Sequence, residues 1–71
     1  VITQIAAKDV KTGHVIGIKA PGCSFQPVGS VIADAQPIAG QSRKVSFRVQ
    51  YSPTYSGSRE HWADTKVWID R

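Results

Sequence analysis

His61 follows Glu60 directly and stands three residues before Asp64, so a general acid or base could be drawn from this stretch, with Cys23 or a serine as nucleophile. No nucleophile elbow, phosphate-binding glycine loop or metal motif accompanies them. His61 therefore reads as an ordinary surface histidine, and the chain as a non-enzyme. His14, His61 and the lone Cys23 fall short of any zinc-ligand spacing, and neither a metal nor another cofactor is expected. Cys23 follows Pro21-Gly22 and reads as a small buried hydrophobe, because a reactive thiol needs a cationic neighbour.

A stronger chemical signal lies in the cations. Residues 1–40 hold three Lys and two Asp, whereas residues 41–71 hold six Lys plus Arg and three acids. No acid occurs between Ala35 and Arg59, and Arg43, Lys44, Arg48 and Arg59 all fall at or within that window. Pairing of a Lys44–Ser52 strand with a Thr65–Asp70 strand would group Lys44, Arg48 and Lys66 around Trp68. Phosphates need cations and unpaired bases stack on aromatic rings, so such a face suits nucleic acid, with Arg43 and Arg59 as further contacts and Trp68 as the stacking platform. The plainer alternative is a solvated face on which Trp68 packs beneath an arginine stem.

A large ring on a wet face also suits a subunit interface, where Trp and Tyr serve as anchors. Trp68, Tyr51 and Tyr55 are the candidates, and the alternative function is a homo-oligomeric assembly module in which charge only maintains solubility. Tyr55 and Trp62 could also stack on a sugar, a reading ranked below nucleic acid because the domain is basic.

The elements that must position these residues are strands. Val and Ile supply fifteen residues while Leu, Met and Asn are absent, and β-branched side chains suit a pleated surface. Val45, Phe47, Val49 and Tyr51 alternate strictly with Lys44, Ser46, Arg48, Gln50 and Ser52, the clearest strand in the chain. Residues 1–7 and 14–19 read as a hairpin around Asp9–Gly13, and Ala20-Pro21-Gly22 ends its second strand. Residues 30–36 read as a strand, with a short helix capped by Ser30 as the alternative. A polar loop over 52–58, a single helical turn over 59–63 and a last strand over 65–70 complete the reading.

Four to five short strands in one domain, residues 1–71, predict an all-β fold: a small curled antiparallel sheet or barrel, SH3-like or OB-like. At this length the core is thin, and with a single cysteine no internal disulfide can supplement it, which makes homo-oligomerisation the expected supplement. No apolar run approaches the roughly 20 residues of a membrane span, so no membrane partner is expected. The free thiol favours a reducing, cytoplasmic compartment. The chain opens on Val1 without a Met, which reads as a trimmed start, so any targeting segment before it would be invisible. The formal charge of +4 points to an anionic partner such as nucleic acid.

Overall fold

The computed structural model describes residues 1–71 and contains six strands: β1 (Ile2–Ala6), β2 (Val15–Ile18), β3 (Gln26–Ile38), β4 (Gln41–Ser52), β5 (Tyr55–Trp62) and β6 (Lys66–Asp70). A 3-10 turn over Ala7–Asp9 is the only helical element. All the strands join one antiparallel sheet in the order β1-β6-β2-β3-β4-β5. The fold is all-β, as the residue types require. Of the two forms expected, a curled antiparallel sheet or an SH3-like or OB-like barrel, it is an open sheet, with six strands in place of four to five, because β1 and β5 form its two edges and do not pair with each other.

The alternation in β4 places Val45, Phe47 and Val49 on the buried face. Across the sheet Ile16, Val31, Val67 and Ile69 point the same way and join Val10 in one cluster, with Ile5, Ala35 and Tyr51 against it. A single flat sheet cannot bury one of its own faces, so the sheet must curl around this cluster. Gly29 permits the tight approach. A Cβ there would lie 2.5 Å from a Val49 methyl, which occupies the space that a side chain on β3 would fill. Only 10 of 71 residues are buried, so the core is as thin as the chain length implies.

The expected β1–β2 hairpin does not form. β1 pairs with β6, and β2 lies between β6 and β3. The connection from Ala7 to His14 crosses the open end of the curl: Val10 is buried in the core, and its carbonyl accepts the Ala35 N–H at 2.9 Å. The Asp9–Gly13 segment is held by a distant partner, since the Thr12 N–H and hydroxyl both donate to the Asp34 carboxylate, at 2.7 and 2.9 Å. Residues 30–36 are strand, within the longer β3, whose Pro27 and Pro37 stand at irregularities of register where a missing donor is tolerated.

The expected loop over 52–58 and helical turn over 59–63 are instead the turn into β5 and β5 itself. An edge strand buries little of its surface, so it needs no run of apolar residues. β5 takes its order from the register with β4, in which Val45 faces His61 and Phe47 faces Arg59. The turn before β5 is closed by the Gln50 side-chain amide, which donates to the Ser52 and Tyr55 carbonyls.

Candidate anion-binding cleft

The pairing that would have joined Lys44 and Arg48 to Lys66 and Trp68 is absent, because β2 and β3 separate β6 from β4 in the sheet. Curling restores part of the expected group by another route. It carries the β5 edge back toward β2 and β6 and leaves an open cleft of about 200 Å³ between them. The inner wall comes from Ile16, Ile18, Val67, Arg59 and His61, whereas Lys66 and Trp68 alternate with Val67, leave β6 on its other face and, with Lys19 over the Trp68 ring, border the cleft at its rim. Ile16 is buried, but Ile18, two residues along the same face, is 64% exposed because β2 ends at the cleft mouth.

No carboxylate lines this cleft. The chain has two ion pairs, from the Val1 ammonium to Asp70 at 2.8 Å and from Lys8 to Asp64 at 3.8 Å. Lys19, Arg59 and Lys66 thus have no internal counterion. Arg59 within the cleft and Lys19 and Lys66 at its rim are like charges that an anion seated at the mouth would neutralise.

His61 forms the inner wall. Its ring stacks on Phe47 with centroids 5.7 Å apart and an interplanar angle of 12°. Its Nε2 is buried without a hydrogen-bond partner. Burial, reinforced by the Arg59 charge, holds its pKa below the ordinary 6.5, so the ring is neutral at pH 7. The acid–base partners considered for it are not assembled: Glu60 points to the opposite face of β5, and Asp64 is engaged by Lys8. No three His, Cys, Asp or Glu side chains come close enough to hold a metal ion. Cys23, expected to be buried, is exposed in the β2–β3 loop, since no core element covers that turn.

Of the candidate nucleic-acid residues, Arg59, Lys66 and Trp68 border the cleft, Arg59 from its inner face and the other two from its rim, and the remaining three do not. Arg48 lies on the outer face, where its guanidinium donates to the Ser56 hydroxyl at 3.2 Å. Lys44 places its ammonium 5.0 Å from the centre of the Trp62 ring, and Arg43 borders a separate hollow beside Trp62. The candidate interface residues are also divided. Tyr51 and Tyr55 stack at 5.5 Å by the β4–β5 turn, and Trp68 sits within the sheet, where Lys19 lies 5.1 Å over its ring.

Lys19 is the cleft cation that sequence reasoning leaves out, and His61, read there as an ordinary surface histidine, is half-buried in the cleft wall. Neither carries a local signal, because β2 and β5 approach each other only through the curl. No helix is long and apolar enough to cross a membrane. Comparison with protein-family models, with curated proteins and with solved structures finds no match to this chain.

Proposed function

We propose that this protein is a non-enzymatic binding module for single-stranded nucleic acid, whose phosphates are held at the cleft between β2, β5 and β6 by Arg59 within it and by Lys19 and Lys66 at its rim. The carrying observation is the acid-free lining of that cleft, three cations without an internal counterion. Its volume of about 200 Å³ lies below the roughly 300–1,000 Å³ typical of pockets that enclose a drug-sized ligand. A cleft of this size suits a phosphate with part of its sugar and leaves the base outside. Duplex is the poorer fit, because a narrow cleft admits a flexible strand more readily than a stiff rod.

Titration of labelled oligonucleotides by fluorescence anisotropy tests this function. The three cleft contacts alone imply that affinity for a single strand falls about 20-fold between 50 and 200 mM salt. Replacing Arg59 with Ala should flatten that dependence by about one contact. Absence of binding to any single strand at low salt removes the proposal.

A second reading, self-association, is favoured by the two uncovered sheet edges and by Tyr55, which is 64% exposed at the start of edge strand β5. Light scattering separates the two. An apolar, edge-paired dimer keeps its mass in high salt, whereas a phosphate complex dissociates.

A further inference from the structure

The cleft leaves open where a base would go, and the most exposed tryptophan supplies a place. Trp62 is 58% exposed. It follows His61 directly in β5, so the two side chains leave the strand on opposite faces, His61 toward the cleft and Trp62 outward. Beside Trp62 lies a hollow of about 510 Å³, bordered by Ser42, Arg43, Ala63 and Asp64. The hollow is open to solvent and has room for a base laid against the indole. The Lys44 ammonium, 5.0 Å from the ring centre, occupies one side of the indole. The local backbone is well held, with the Ala63 N–H donating to the Arg43 carbonyl at 2.7 Å and the Thr65 N–H to the Trp62 carbonyl at 3.0 Å.

We propose that Trp62, with Arg43 and Lys44, forms a second subsite that stacks a base of the same single strand whose phosphates occupy the cleft, so that the strand passes around the free edge of β5. This rests on the cleft's nucleic-acid reading and adds to it the residue that carries base stacking. β5 is an edge strand, so no neighbouring strand blocks that path. Arg43 and Lys44 outweigh the one acid of the hollow, Asp64, whose carboxylate already faces Lys8 at 3.8 Å. A tryptophan flanked by two cations is complementary to a base and its phosphate together.

The experiment uses the whole chain and oligothymidylates of about 2 to about 12 nucleotides, each with an abasic strand of equal length. Trp62→Ala should weaken binding of the longer oligothymidylate by about tenfold while leaving the salt dependence unchanged, because stacking releases no counterions. It should leave the abasic strand's affinity unaltered, and Trp62→Tyr should restore most of the loss. Arg59→Ala should weaken both kinds of strand and reduce the salt slope. If Arg59→Ala acts in that way and Trp62→Ala changes nothing, the stacking subsite is refuted and the cleft's reading stands. If the native protein binds none of the strands, both fall. A Trp62→Ala loss that is equal on the abasic strand also refutes stacking.

Discussion

Two lysine–tryptophan pairs in this molecule share one geometry and differ in everything around it. Lys19 lies 5.1 Å from the centre of Trp68, and Lys44 lies 5.0 Å from the centre of Trp62. Trp68 belongs to β6, flanked by β1 and β2, with Gln4 and Gly17 as its cross-strand partners. Gly17 has no room for a side chain, because a Cβ there would come within 2.5 Å of the Phe25 ring. Trp62 stands on the β5 edge, with β4 alone beside it. The same contact therefore belongs to the packing of the sheet at Trp68 and is open to an outside partner at Trp62. An exposed cation–aromatic pair is informative only once the strand that carries it has been placed in the sheet.

The largest expected difference is in stability. Truncating a core tryptophan costs about 3–5 kcal/mol, and Trp68 is half-buried, so Trp68→Ala should lower unfolding free energy by about 2 kcal/mol. Trp62→Ala should change it by no more than about 0.5 kcal/mol. Urea unfolding reads both as midpoint shifts at constant slope. Equal losses would erase the distinction between a packed and an available tryptophan.

A smaller effect of opposite sign is expected at His61, the residue between the cleft and the Trp62 subsite. Its Nε2 is buried and unpaired, which costs folding about 1–3 kcal/mol. His61→Phe keeps a ring against Phe47 and removes that nitrogen, so stability should rise by about 1 kcal/mol. The sign of the pH dependence follows from the lowered pKa. Unfolded His61 takes up a proton near its ordinary value of 6.5, whereas the folded state resists protonation to a lower pH. Wild-type stability is thus unaffected by this group above pH 6.5 and falls as the pH drops below it. The advantage of His61→Phe should widen over that acid range, and thermal melts from neutral to acid pH measure it. A constant difference would show that His61 does not titrate differently on folding.

How much of this was legible depends on the range of the interaction. β4 declares itself because its nine-residue alternation is local, and β6 because Val67 and Ile69 alternate with Lys66, Trp68 and Asp70. β5 was hidden, since Tyr55-Ser-Gly-Ser-Arg-Glu-His-Trp62 has no apolar stripe and becomes a strand only through its register with β4. The false β1–β2 hairpin arose because adjacency in sequence usually means adjacency in space. Here Val10 turns the connection into a plug across the curl. Strand order decided the site as well. Residue type alone singles out Lys66, Arg59 and Trp68, but β2 brings Lys19 to Trp68 and β5 sets His61 beside Arg59 on the inner face. Lys44 proved to have a tryptophan beside it, although not the one that the assumed pairing supplied.

The finest test of the two pairs removes the charge and keeps the stem. Cation–π attraction is worth about 0.5–1 kcal/mol at exposed sites and about 2 kcal/mol when desolvated. Lys19 and Trp68 are both half-buried, whereas Trp62 is exposed. Lys19→Met should therefore cost about 1 kcal/mol and Lys44→Met about 0.5 kcal/mol or less. Binding should rank them differently from stability. Each lysine borders a proposed contact with the strand, so both variants should lose one counterion from the salt dependence, whatever they do to folding. The two measurements are independent because a methionine stem still covers the indole but cannot neutralise a phosphate. If Lys44→Met left the salt slope intact, Lys44 would serve only to cover Trp62, and the outer subsite would rest on Arg43 for its charge.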